Sequence, residues 1–270
     1  MISRYEEAKN VFIDSIDVDD YVELDASITA YEHLQHSMDK PLKMILLFGP
    51  PGTGKSILLN RIAKNLKHQK EIYYFDVPAI NEREFFHKLF KVLTNKEIPK
   101  NTEINFSALV DFCKKLRGKR EIIILLDEAQ MYSTETMEKV RLFSDSRAVK
   151  FVLSMHQTKD ENIIEKEHFK SRIWEVIELN NANREDQKTY IHKKLLKQNL
   201  FEIADSIHDK DMKLIHTFTQ GNFRECNKLL FTIFEICEYY DKNEPNKISY
   251  ARIPQRIIEM AALKLGYIHV

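Results

Sequence analysis

The run Gly49-Pro50-Pro51-Gly52-Thr53-Gly54-Lys55-Ser56 fits the pattern G-x-x-x-x-G-K-[ST] at every specified position. Glycines at these spacings let successive backbone N–H groups turn inward around a phosphate, and a following helix N-terminus adds partial positive charge. The lysine ammonium at such a site reaches β- and γ-phosphates, and the hydroxyl after it ligates Mg²⁺. The flanks suit this chemistry. Met44-Ile45-Leu46-Leu47-Phe48 reads as a buried strand, and Ile57, Leu58, Leu59, Ile62, Ala63 and Leu66 recur at helical spacing. Strand, glycine loop and helix together predict a nucleoside triphosphate site running from Gly49 to Ile57.

A second pair of residues completes the chemistry. Glu121-Ile122-Ile123-Ile124-Leu125-Leu126 runs directly into Asp127-Glu128. An aspartate at a strand's C-terminal end beside the phosphate loop holds Mg²⁺ directly or through water. A glutamate immediately after it polarises the attacking water, as base or as orienter. Ser56 and Asp127 are therefore the expected metal ligands, Lys55 the phosphate-binding cation and Glu128 the group that activates water. The ten histidines show no ligand spacing, so no zinc site is expected. Cys113, Cys226 and Cys237 form no C-x-x-C pair, and they read as buried thiols of a reducing compartment.

The elements that must position these residues alternate. Strands are expected at Ile72–Asp76, Glu121–Glu128, Phe151–Met155 and Trp174–Leu179 besides the one before the loop. Helices are expected at Glu82–Leu93, Phe106–Leu116 and Thr134–Phe143 between them. Unbroken apolar strands suit a parallel sheet covered on both faces, so the pattern predicts a three-layer α/β sandwich. After Arg184 the strand signals stop. Arg184–Gln198, Lys210–Thr219, Phe223–Tyr239 and Ile253–Leu265 all read as helices, with Phe231, Phe234, Tyr239 and Tyr240 expected in their core. The composition shift divides the chain into residues 1–180, an N-terminal segment plus an α/β nucleotide-binding domain, and residues 181–270, a helical lid. Lys+Arg and Asp+Glu are both 41, so net charge favours no nucleic-acid partner and excludes none. The start of the chain lacks the apolar core of a signal peptide, and no apolar run is long enough for a membrane span. The expected location is cytoplasmic, peripheral to the inner face of the membrane if a partner brings it there.

An Asp-Glu pair on one strand beside this phosphate loop resembles the AAA+ ATPases. The resemblance implies the strand order 5-1-4-3-2, ATP/ADP with Mg²⁺ as cofactors, ATP hydrolysis as the activity and nucleotide between the two domains. No guanine-reading N-K-x-D follows the fifth strand. The family's polar sensor at the end of the fourth strand corresponds to Ser154, His156 or Gln157. Its second sensor, an arginine early in the lid, corresponds to Arg224 in Gly221-Asn222-Phe223-Arg224. Arg172, just before the fifth strand, occupies the place of an arginine finger acting on a neighbouring subunit, which implies a homo-oligomer. Tyr21-Val22 stands where relatives border the adenine.

Leu126-Asp127-Glu128-Ala129-Gln130, Gln157, Ser171-Arg172-Ile173 and Gly221-Asn222-Phe223-Arg224 with Asn227 are similar to the ExeA (general secretion pathway protein A) and TniB/MuB-related group. His156 stands where that group has glycine, and Phe223 where it has proline. The resemblance implies one of two functions. The first is an ATPase assisting assembly of a secretion, pilus or DNA-uptake apparatus, with a protein partner at an envelope machine. The second is a DNA-associated ATPase of the transposition-regulator or replication-initiator type. Lys114-Lys115-Leu116-Arg117-Gly118-Lys119-Arg120, and Lys188, Lys193, Lys194 and Lys197, are the candidate contacts for double-stranded DNA in the second.

Overall fold

The computed structural model describes residues 3–14, 21–99, 102–156 and 171–269. The chain forms two compact units: Ser27–Pro50 with Lys55–Leu179, and Met1–Ala26 with Pro51–Gly54 and Asn180–Val270.

The first unit is a parallel five-stranded sheet. Its strands are β1 (Met44–Gly49), β2 (Glu71–Phe75), β3 (Ile122–Leu126), β4 (Val149–His156) and β5 (Ile173–Glu178), in the order β2-β3-β4-β1-β5. This is the order implied by the resemblance, read from the other edge. Alternation along each strand sends side chains to opposite faces. Met44, Leu46, Ile122, Ile124, Leu126, Phe151 and Leu153 enter one buried cluster, whereas Ile45, Leu47, Ile123, Leu125 and Val152 enter another. Helices α2 (Asp25–Asp39) and α3 (Lys55–Leu66) supply the cover of the second cluster, and α4 (Glu82–Thr94), α5 (Phe106–Leu116) and α6 (Thr134–Asp145) that of the first. Two covered faces explain why β3 is apolar at every position. Truncating a fully buried member such as Leu125 to alanine would cost about 2–5 kcal/mol.

Local signals set the helix limits. The Asn81 side chain accepts from the Glu84 N–H at the start of α4, and Asn95 ends that helix with φ 55°. Ser133 caps α6 by accepting from the Thr136 N–H.

The second unit is helical: α1 (Arg4–Val11), α7 (Arg184–Lys197), α8 (Phe201–Asp205), α9 (Asp209–Thr219), α10 (Phe223–Asn243) and α11 (Gln255–Lys264). The N-terminal segment, expected with the α/β part, groups with these helices instead. Tyr5, Ala8 and Phe12 are buried among Ile191, Leu229, Ile233 and Ile257. The Tyr5 ring stacks on Tyr250 with centroids 4.7 Å apart, and Ser3 Oγ donates to Asp241 Oδ2 at 2.7 Å. Phe234 lies in this core as expected, but Tyr239 is exposed, because it falls on the outer face of α10. Cys226 is fully enclosed, and burial pushes its thiol up to about 12. Among the described residues no helix is long and apolar enough to cross a membrane.

Candidate active site

β1 ends at Gly49, where φ is 151° and a Cβ would run into the Leu179 carbonyl. α3 opens at Lys55, whose ammonium is buried and donates to the carbonyls of Gly49 and Pro50, both at 2.8 Å. A buried cation at a helix N-terminus, set in a glycine loop, is a receptor for anionic oxygens.

Asp127 follows β3 and is also buried. Its Oδ1 accepts from the Glu128 N–H at 3.0 Å and its Oδ2 from the Tyr74 hydroxyl at 2.9 Å. The same hydroxyl lies 3.3 Å from the Ser56 carbonyl oxygen. Tyr74 thus brings Asp127 and Ser56, which lie far apart in the chain, to one point. Burial, and then the Asp127 charge, push the Tyr74 phenol well above its ordinary range, so it remains a donor. The sequence reading missed Tyr74. Its only signal is its register, since Tyr74 pairs with Leu125 beside the end of β3.

Glu128 has a left-handed backbone, φ 49° and ψ 43°, at the entrance to a 3₁₀ turn over Ala129–Met131. That conformation costs a non-glycine residue about 1–2 kcal/mol. The Glu128 carboxylate accepts from Gln130 Nε2, and its Oε2 lies 2.7 Å from His156 Nε2. Gln130 Oε1 in turn accepts from the His156 backbone N–H at 3.4 Å. Burial first, and then the Lys55 ammonium, hold the His156 imidazole below its ordinary value, against the opposing pull of Glu128. His156 is therefore neutral at neutral pH. Ser154, the other described sensor candidate, is buried on β4, and Gln157 lies outside the described residues.

Residues 39–162 match the AAA domain family. Over those residues the chain is similar to AAA domains. Over 121 residues it is 25% identical to general secretion pathway protein A of Aeromonas hydrophila, covering 43% of this chain and 22% of that protein. The match therefore takes in about a fifth of that relative's length. Among solved structures, Cdc6p from Pyrobaculum aerophilum superposes with a TM-score of 0.65 at 16% identity, covering 95% of this chain and 70% of that one. ORC1 of Aeropyrum pernix in complex with DNA gives 0.60 at 16% identity, with 95% and 69% covered. Domain III of Thermotoga maritima DnaA gives 0.54 at 16%, with 92% and 96% covered. At these identities the likeness is one of fold.

The two arginines singled out in the sequence lie in different places. Arg172 Nε pairs with Asp145 at 3.2 Å, a carboxylate that Lys43 also binds. Arg172 precedes Ile173, which pairs with Met44 at the start of β1, whereas the phosphate loop follows its end. The five residue-to-residue steps of β1, roughly 16 Å, separate those two edges. Arg224, in the helical unit, pairs with Asp14 at 3.3 Å, and a Cβ on Gly52 would collide with Asn222 Oδ1 and Arg224 Cβ. Asn222 caps α10 by accepting from the Arg224 and Glu225 N–H groups, and its amide donates to the Pro51 carbonyl at 2.6 Å.

The lysines read as a basic face on α7 are not one. Lys194 is buried, with its ammonium over the Phe12 and Tyr190 rings, because it lies on the inner side of α7. Lys193 and Lys197 donate to the carbonyls of Glu23 and Tyr21, and Lys188 pairs with Asp209. In the other cluster Lys115, Arg117 and Lys119 are exposed, while Arg120 is tied to Glu71.

Proposed function

We propose that this AAA+ domain binds ATP with Mg²⁺ and hydrolyses it. The observation that carries the reading is the Tyr74 hydroxyl, which meets both Asp127 Oδ2 and the backbone of Ser56. A hydroxyl and a carboxylate, both hard oxygen donors, fit Mg²⁺. The buried Lys55 ammonium and the glycine loop fit the phosphates. In that site Ser56 and Asp127 hold the metal, and bound Mg²⁺ supplies charge neutralisation at the phosphate oxygens. Lys55 binds the β- and γ-phosphates. Glu128 orients water and takes its proton. His156, a neutral donor between Lys55 and Glu128, is the first sensor, and Arg224, beside Gly52, is the second. Arg172 serves the site of a neighbouring copy; its place at the far edge of the sheet supports that reading, as its own phosphate loop is out of reach.

The work driven by hydrolysis is assembly of a secretion, pilus or DNA-uptake apparatus at the cytoplasmic face of the membrane, through a protein partner. Identity with general secretion pathway protein A supports this reading. A DNA-associated role is the second reading, supported by the fold shared with a DNA-bound ORC1 and by the exposed Lys115, Arg117 and Lys119. ATP turnover of the purified protein, with and without double-stranded DNA at low and moderate salt, tests both. Stimulation by DNA that fades with salt selects the second reading. Turnover indifferent to DNA selects the first, and no turnover in either condition removes hydrolysis from both.

A further inference from the structure

Glu128 sits in a closed ring of hydrogen bonds built entirely from the turn after β3 and the end of β4. Gln130 Nε2 donates to the Glu128 carboxylate, His156 Nε2 lies 2.7 Å from Oε2, and Gln130 Oε1 accepts from the His156 N–H. Only one amide orientation satisfies both Gln130 bonds: NH₂ toward the carboxylate, oxygen toward the backbone. The tautomer of His156 follows in the same way. Its Nδ1 is buried and has no partner among the described residues, so the ring proton belongs on Nε2, facing the carboxylate. No hydrogen bond to Glu128 Oε1 occurs among the described residues, which leaves that oxygen with lone pairs for a water. The backbone of Glu128 is left-handed, a conformation its own φ and ψ preferences oppose, so something outside the backbone must hold it.

We propose that Gln130 is a positioning residue for Glu128. Together with His156 it fixes the carboxylate through two donors and keeps Oε1 available to the attacking water. The inference rests on the hydrolysis reading above. It also makes the setting of Glu128 depend on the end of β4, because Gln130 is anchored on the His156 backbone and not on its own turn alone. A misplaced base costs rate without costing substrate affinity.

The experiment compares wild type, Gln130→Ala, Gln130→Glu, Glu128→Gln and the Glu128→Gln/Gln130→Ala double variant. It measures ATP turnover, Kd for MgATP and thermal unfolding for each. Gln130→Glu keeps the length of the side chain and an acceptor for the His156 N–H, but it removes the donor and sets a carboxylate against Glu128. We expect kcat to fall by about tenfold or more in both Gln130 variants, with Kd and Tm unchanged. In the Glu128→Gln background, Gln130→Ala should cause no further loss, since the group it positions is already gone. Near-normal kcat in Gln130→Glu, or a full additional loss in the double variant, would overturn the positioning role, while a loss of turnover in Glu128→Gln would still support the hydrolysis reading. Equal, measurable turnover in wild type and Glu128→Gln would remove Glu128 from the mechanism and the positioning role with it, whereas no turnover in either would remove the hydrolysis reading.

Discussion

The Nε2 atom of His156 lies 2.7 Å from Glu128 Oε2, which joins the last residue of β4 to the turn that follows β3. The same imidazole is disfavoured in its charged form by Lys55, so the phosphate-loop cation and the acid of the third strand act on it from opposite signs.

That arrangement has a titration signature. The folded-state value of His156 lies below 6.5, so the unfolded ring takes its proton first as pH falls. Stability from this residue is present above 6.5 and is lost as pH falls through 6.5 toward the folded value. In an NMR titration, Lys55→Met should raise the His156 midpoint and Glu128→Gln should lower it. Shifts in the opposite directions would refute the placement of the ring between the two charges.

Tyr74→Phe removes the hydroxyl from Asp127 Oδ2, leaving a buried carboxylate one donor short. A lost bond to a charged group costs about 1.5–3 kcal/mol. The variant should therefore unfold at lower temperature, and its turnover should need more Mg²⁺ for half-saturation. An unchanged Mg²⁺ dependence would separate Tyr74 from the metal-binding carboxylate.

The two nucleotide motifs should fail differently. Lys55→Ala is expected to lose ATP affinity itself, whereas Glu128→Gln should keep ATP bound and lose turnover. Equilibrium binding of a fluorescent ATP analogue beside phosphate release distinguishes them, and equal affinity in Lys55→Ala and wild type would remove Lys55 from phosphate binding.

Asn222 carries two separable tasks. Asn222→Ala loses both the α10 cap and the bond to the Pro51 carbonyl, and a lost cap costs about 1 kcal/mol. Asn222→Asp keeps the cap acceptor and loses only the amide donor. We expect the Asp variant to match wild type in Tm more closely than Ala, yet to share its weakened nucleotide affinity. Wild-type affinity in both variants would show that the Pro51 contact does not shape the loop.

Arg172→Ala should lower turnover by itself and regain part of it when mixed with a chain carrying Glu128→Gln and an intact Arg172. One chain then supplies the arginine and the other the base. Absence of rescue across mixing ratios would count against a site shared between copies. Because Arg172 also pairs with Asp145, a Tm measurement on the same variant separates lost packing from lost function.

The phosphate loop, the Asp127-Glu128 pair and the five strands were legible in the chain because each is encoded locally, whereas the strand order came from the family resemblance. The loop needs glycines at fixed spacing, and a parallel strand buried on both faces needs an unbroken apolar run such as Ile122–Leu126. The helices after Asn81, Ser133 and Asn222 were legible from their helical patterning, and the structure adds that these three side chains cap them. What the tertiary structure decided is which residues meet across the fold. Tyr74 reaches Asp127 only because β2 pairs with β3 in a register that sets Tyr74 against Leu125. Gln130 and His156 converge on Glu128 only because β3 and β4 are neighbours and the chain turns left-handed between them and the site. Arg4–Val11 packs among the C-terminal helices because Tyr5, Ala8 and Phe12 find a core there, and nothing in that short stretch names its partners. Lys194 reads as one more surface lysine until the rotation of α7 places it over two aromatic rings. Spacing along the chain specifies a backbone conformation, but side-chain partnership depends on register and rotation, and those are fixed only when the elements pack.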